Sequence, residues 1–244
     1  HPDDKAATVE EMSKLAQGVS VFHFENRYRH KDGEFKLLAW SASVSAVDHL
    51  IYAVASDITS RKQAEEDLRR LNQFYAALSE CNEAIVRCTS EKELFQNICR
   101  IAVERAEMKM AWIGVLDPDT SMITVAASVG DHAEEYLQGL FVTIDDGSPL
   151  GRGPTGTVAR ENRPMWNQDF QTNPSMLPWR ELAARVGYRA SAALPLRRDE
   201  GVVGVLNVYA GEVGIFDEAV RKLLLELAAD ISFALENFAR EAAR

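Results

Sequence analysis

Gly187-Tyr188-Arg189-Ala190-Ser191-Ala192-Ala193-Leu194-Pro195-Leu196-Arg197-Arg198-Asp199-Glu200-Gly201-Val202-Val203-Gly204-Val205-Leu206-Asn207-Val208-Tyr209-Ala210 is the stretch on which the fold turns. It reads as two apolar strands, Ala190 to Leu196 and Val202 to Ala210, joined by the turn Arg198-Asp199-Glu200-Gly201. On the second strand, alternation places Val203, Val205, Asn207 and Tyr209 on one face, so two polar-tipped side chains look the same way. Asp217 follows as the start of a last helix, running to about Arg240.

Working upstream, the same strand signals recur. Met165 to Asn167, Phe141 to Ile144, Met122 to Val129 and Met110 to Leu116 read as strands, the last two around the turn Asp117-Pro118-Asp119-Thr120. Short helices are expected at His132 to Gly139, Thr157 to Glu161 and Trp179 to Val186. From about Ala64 to Ala106 the chain is helical, with a break near Thr89-Ser90, where Ser90 and Glu93 form a capping-box pattern. Before it, Asp57-Ile58-Thr59-Ser60-Arg61-Lys62 marks a strand ending and a charged helix beginning, which we read as a joint between two domains. Ahead of the joint come a short helix, Thr8 to Gln17, and three strands: Val21 to Arg29, Glu34 to Ala46 after a Lys31-Asp32-Gly33 turn, and Leu50 to Ile58.

The totals bound the function. Of 244 residues, 46% are apolar, enough for a globular core, and the formal net charge is -10. That balance opposes the phosphate attraction that nucleic-acid binding needs. No apolar run approaches the roughly 20 residues of a membrane helix, so no membrane contact is expected within the chain. Three cysteines, Cys81, Cys88 and Cys99, without a CxxC pair, fit a reducing cytoplasm. The chain opens on His1-Pro2-Asp3-Asp4, and we expect it to be part of a longer polypeptide.

Three segments, Gly151-Arg152-Gly153-Pro154-Thr155-Gly156-Thr157, Gly187 to Leu196 and Val203-Gly204-Val205-Leu206-Asn207-Val208-Tyr209, jointly resemble a GAF domain spanning about residues 71–240. The resemblance implies an antiparallel sheet with the first and last helices on one face and a small-molecule pocket on the other. Residues 1–60 resemble the C-terminal half of a PAS domain, on His1-Pro2-Asp3-Asp4, the Tyr28-Arg29-His30-Lys31-Asp32-Gly33 hairpin and the Asp57 to Lys62 exit; residues 61–78 would then be a signalling linker helix leading into the GAF domain. The fold class expected is α+β: a GAF-like antiparallel sheet with helices on both faces, preceded by a partial PAS-like helix with a three-stranded meander and a long linker helix. The order of the parts resembles the input arrays of bacterial sensor histidine kinases and cyclic-di-GMP enzymes, which makes the two-component systems the expected setting; none of those catalytic signatures lies in this chain.

The ligand-binding candidates are Trp112, Trp166, Asp169, Phe170, Trp179, Arg180, Tyr188, Ser191, Asn207 and Tyr209, an aromatic set with a few polar groups, as pockets commonly show. The competing reading makes Trp112 and Trp166 core residues and has Asn207 satisfy local backbone. Trp179-Arg180 follows Asn173-Pro174-Ser175-Met176-Leu177-Pro178, a loop of the kind that lids a pocket. The Gly151 to Gly156 loop lacks the Gly-Lys-Ser/Thr ending of a nucleotide P-loop; it is either a tight turn into a packed helix or an anion site at that helix's start. Cyclic-nucleotide-binding GAF domains carry Asn-Lys, then Phe, then Asp-Glu after three residues; here Val208 follows Asn207, and Phe216 meets Asp217-Glu218 directly, so that ligand is not expected. His132, the one histidine of the GAF-like region, reads as a solvated residue at a helix start. The cofactor stays unknown, and neither a metal site nor a catalytic residue is expected.

Two helices carry seams spaced by four and three. Leu68, Leu71, Tyr75, Leu78 and Asn82 lie on the leading helix, and Val220, Leu224, Leu227, Ile231, Ala234 and Phe238 on the last. We expect these to pair two copies of the chain, with the buried Asn82 fixing register. The expectation is a non-catalytic sensory relay, homodimeric through both helices, that binds a small ligand. The alternatives are a ligand-free dimerisation spacer and, as an enzyme, a GAF-type free methionine sulfoxide reductase acting through its cysteines. For the Cys81 and Cys88 pair on one helix face, redox sensing is the further alternative.

Overall fold

The computed structural model describes residues 1–47, 50–199 and 201–242. Two compact units divide the chain, 1–69 and 70–244.

The first unit holds a short 3-10 turn, the helix α1 (Lys5–Ala16) and three strands, β1 (Val21–Arg29), β2 (Phe35–Val44) and β3 (Ile51–Asp57), in an antiparallel meander ordered β1-β2-β3. The Asp4 carboxylate fastens the helix start to β1: it accepts from the Arg27 backbone N–H, Nε and Nη2 at 2.7, 2.9 and 2.6 Å. Those bonds hold the Asp4 carboxyl well below its ordinary range, at about 2. After β3 the chain turns into the long helix α2 (Thr59–Arg87), whose first residue is hooked on both sides. The Asp57 carboxylate accepts from Thr59 N–H and Oγ1 at 2.9 and 2.6 Å, and Thr59 Oγ1 accepts from the Leu37 N–H at 2.9 Å. Within the first unit, then, the stretch read as a joint forms a latch between sheet and helix start, and the helix begins five residues earlier than the apolar spacing suggested.

The second unit is built on a six-stranded antiparallel sheet, in the order β6-β5-β4-β9-β8-β7. In chain order its elements are α3 (Glu91–Glu104), β4 (Met110–Asp117), β5 (Met122–Gly130), α4 (Ala133–Leu137), β6 (Val142–Thr143), α5 (Pro154–Glu161), β7 (Met165–Asn167), α6 (Arg180–Val186), β8 (Ala190–Arg198), β9 (Gly201–Ala210) and α7 (Glu218–Ala242). Ser90 caps α3 by accepting from the Glu93 N–H, while the Glu93 carboxylate reaches back to the Thr89 N–H at 3.1 Å, one residue earlier than the usual box. Asp217 opens α7, accepting from the Val220 N–H at 2.9 Å. The expected turn at Arg198 to Gly201 includes Glu200, which lies outside the described residues.

Alternation along the central strands divides two cores. Ala111 and Ile113 of β4, Ala192 and Leu194 of β8 and Leu206 and Val208 of β9 face the end of α2, α3 and α7. Met110 and Trp112, Ala193, and Val205 and Tyr209 face the opposite way, towards α4, α5 and α6. Val203 breaks the expected phase and packs with the helix-side core, because the pairing slips between Leu196 and Arg197 and the bulge turns the strand over.

That packing corrects the seam reading. Leu224, Leu227, Ile231 and Leu78 are all 8% exposed or less and lie in the domain's own core, with Val220 and Ala234 beside them. Leu71 and Phe238 pack against it partly buried. A helix that lies on a sheet needs an apolar stripe of the same spacing as one that pairs with another helix, so the spacing alone did not separate the two. Leu68, Tyr75 and Asn82, seven residues apart on one helix, are exposed. No helix among the described residues is long and apolar enough to cross a membrane.

Candidate functional site

On the sheet face away from α3 and α7, a cavity of about 210 Å³ opens between the strands and the α4 to α6 layer. Its floor is set by strand register. Trp112 of β4 pairs with Asn207 of β9, Asn207 with Ala193 of β8, and Tyr209 with Ser191. Small residues on β8 leave the space that large ones on β4 and β9 enclose. Trp112, Tyr209 and Ser191 line the cavity from the sheet; Phe170, Met176 and Trp179 close it from the loop before α6. Tyr136 of α4, the 139–142 segment, Leu150 and the turn Gly153-Pro154-Thr155-Gly156 complete the wall. None of these sixteen residues carries a charged side chain.

Three tyrosine rings form one wall of this core: Tyr136, Tyr188 and Tyr209 stand 5.1 to 5.2 Å apart, centroid to centroid. Phe170 stacks on Tyr209 at 6.2 Å. Burial pushes the pKa of all three phenols upward, so they enter any chemistry as neutral hydroxyls. The Tyr188 hydroxyl is already committed, donating to the Asp131 carbonyl at 2.5 Å. The Trp112 Nε1–H is buried and makes no hydrogen bond of ordinary geometry, although it favours the ionised form of the nearby Tyr209 phenol. The Thr155 hydroxyl donates to Asn207 Oδ1 at 2.8 Å, and Asn207 Nδ2 donates to the Val205 carbonyl at 3.2 Å. Through that contact the first turn of α5 is tied to the middle of β9.

Glycine is required in this turn by close approach. A Cβ on Gly153 would lie 2.8 Å from the Trp179 ring, and one on Gly156 would lie 2.5 Å from the Thr143 carbonyl oxygen and 2.7 Å from that of Gly151. The tight-turn reading of the loop holds, and the turn also forms part of the cavity wall.

Residues 88–236, more than half of the chain, match the family model described as GAF domain. The chain belongs to the GAF family. No curated protein matches it. Among solved structures, the GAF domain resembles the free methionine-R-sulfoxide reductase of Neisseria meningitidis in complex with its substrate, at 19% identity and a TM-score of 0.55, covering 69% of this chain and 91% of that one. It also resembles the GAF domain of a phosphoenolpyruvate-protein phosphotransferase from Coxiella burnetii (14%, TM-score 0.57, 71% and 99%). A third neighbour is a putative GAF sensor protein of Burkholderia vietnamiensis (15%, TM-score 0.56, 70% and 98%). At these identities the likeness establishes the fold.

Within the GAF domain the ten candidate residues separate. Trp112, Phe170, Trp179, Ser191 and Tyr209 line the cavity. Tyr188 and Asn207 are fully buried just behind it, supporting Tyr209 and Thr155. Trp166 does not reach it: one step of alternation turns its ring to the helix-side core, 6.1 Å from Phe216 and under the Arg221 guanidinium at 5.4 Å. Asp169 bends its own loop, accepting from the Gln171 N–H at 2.9 Å and Thr172 Oγ1 at 3.2 Å. Arg180 staples the same loop, donating to the Phe170 and Asn173 carbonyls at 3.2 and 3.3 Å. Tyr136, Met176 and the Gly153 to Gly156 turn were missed as lining residues. The glycine loop was visible as a motif, whereas nothing in the sequence brings α4 over the sheet. His132 stands at the start of α4, its side chain 55% exposed, with Nδ1 3.2 Å from Glu135, clear of the cavity. Among the described residues, no group of three or more His, Cys, Asp or Glu side chains could hold a metal ion.

Proposed function

We propose that this GAF domain is a sensory module: a small molecule enters the cavity at Trp112 and Tyr209, and its binding is relayed to the helices on the far face of the sheet. The observation that carries this reading is the cavity itself, an uncharged aromatic chamber whose wall is tied to β9 by the Thr155 to Asn207 bond. β9 lies against the core that contains α7 and the end of α2, so a ligand that favours one packing of the α5 turn biases both helices. In this reading residues 1–60 are the end of a PAS domain, which hands its own state to α2 through the Asp57 and Thr59 latch. Two copies then pair through the exposed stripe Leu68, Tyr75 and Asn82 of α2. The setting is a bacterial signalling protein in the cytoplasm, with any output activity elsewhere in its polypeptide.

A melting-temperature screen of nucleotides, amino acids and aromatic acids tests the sensor. At least one class should raise the melting temperature with saturable dose dependence. A screen in which every class leaves it unchanged refutes ligand sensing and leaves the dimerisation spacer.

The neighbouring reductase makes thiol chemistry the second reading. Cys81, Cys88 and Cys99 are buried in the helix-side core, and none lines the cavity. Burial pushes the thiols of Cys81 and Cys99 up to about 12. At pH 8 that leaves a thiolate fraction on the order of one in ten thousand, and the thiolate is the reactive form. Iodoacetamide at pH 8 should leave Cys81 and Cys99 unmodified in the folded chain and alkylate both in denaturant. Rapid modification of either in the native protein would favour the reductase reading.

A further inference from the structure

Three independent features of the cavity wall select the ligand's chemistry. The first is the start of α5, where Gly153 supplies no side-chain cap and Pro154 has no N–H, so the first free donors of the helix are the Thr155 and Gly156 backbone N–H groups. Both residues line the cavity, at the positive end of the helix dipole. The second is the Trp112 indole N–H, a donor in a residue 1% exposed, which meets the Tyr209 phenol but makes no hydrogen bond of ordinary geometry. An acceptor brought by a ligand would complete its hydrogen bonding, and a buried donor poorly paired is costly. The third is charge and size. With no acidic side chain in the wall a cation finds no counter-charge, and with no Arg, Lys or His there a doubly charged phosphate is left undercompensated. The volume, about 210 Å³, has room for one aromatic ring with a short substituent.

We infer that the cavity takes a small aromatic monocarboxylate, its ring between Phe170, Trp179 and Tyr209 and its carboxylate at the Thr155 and Gly156 N–H groups within reach of Trp112. A single negative charge is stabilised by a helix N-terminus, and aromatic rings stack on one another with offset or edge contacts. The Ser191 hydroxyl, on the wall beside Tyr209, adds a further polar contact for a ring substituent. This assignment rests on the sensor reading and narrows it.

Isothermal titration of the full chain at pH 7.5 with phenylacetate, benzyl alcohol and phenethylamine separates the two levels. Phenylacetate should bind about tenfold more tightly than either of the others, the size of effect expected where a helix terminus meets a partly buried anion. Trp112→Phe, which keeps a ring and removes the N–H, should weaken phenylacetate about fivefold, the worth of one hydrogen bond. If that variant does not fold, the ranking of the three probes on the wild-type chain decides. Equal or tighter binding of the alcohol or the amine overturns the carboxylate assignment and leaves the sensor standing. So does binding of another chemical class from the melting screen with no response to phenylacetate. No binding by any compound in either experiment overturns both.

Discussion

Replacing Ile231 with aspartate should unfold the GAF domain, where a change at a subunit seam would leave a folded monomer. Ile231 is 0% exposed and sits in the core between α7 and the sheet. Removing its side chain forfeits roughly 2 to 5 kcal/mol. Placing a carboxylate in the same site without a partner adds several more. Together these match the whole stability of a typical domain, about 5 to 15 kcal/mol. Circular dichroism should therefore show loss of secondary structure at 25 °C. Leu68→Glu provides the contrast: Leu68 is 60% exposed on α2, and its replacement should shift stability by less than about 0.5 kcal/mol while weakening any pairing of two copies. A folded, monomeric Ile231→Asp protein would return α7 to the role of a seam between chains.

Gly156→Ala should destabilise the domain by about 1 kcal/mol in urea unfolding, against the sign that helix propensity suggests. Alanine in a helix is favoured over glycine by about 1 kcal/mol, and Gly156 is in the first turn of α5. Here the added Cβ would meet two backbone oxygens, of Thr143 at 2.5 Å and Gly151 at 2.7 Å. Backbone does not yield as a side-chain tip does. The Gly151 carbonyl is further fixed by accepting from Arg160 Nη1 at 3.0 Å. Overpacking of this kind costs about 1 to 3 kcal/mol and exceeds the propensity gain. Because Gly156 also lines the cavity, ligand affinity should fall with stability. Stabilisation by the substitution would mean that α5 does not pack against β6 as described.

The fold was legible where periodicity and turn chemistry agreed. Val21–Arg29 was read to the residue, the strand near Met165 to Asn167 was placed, and the Ser90 cap between α2 and α3 was visible as a motif. Apolar spacing also located α7, but it could not say whether Leu224 and Ile231 face a sheet of the same chain or a helix of another, because both need the same stripe. The candidate site was half legible. Alternation along β9 pointed to Tyr209, Ser191 was named as a polar member of the set, and the loop before α6 contributed Phe170 and Trp179. Trp166, named for its aromatic ring, falls on the other face, since the phase of a three-residue strand is set by its neighbour β8. Alternation failed for Val203, the extra residue of a bulge in β9 itself, which inverts the phase from there on. Tyr136 reaches the cavity only through the tertiary placement of α4, which has no local signature.

A crystal structure of the full chain with the tightest compound from the melting screen tests the central claim most directly. The account predicts that compound inside the cavity, in contact with Trp112 and Tyr209 and with its acceptor at the Thr155 and Gly156 N–H groups. A compound seated elsewhere, as in the charged groove between α2 and α3 around Glu80 and Arg100, with the cavity unchanged from the free chain, would contradict it.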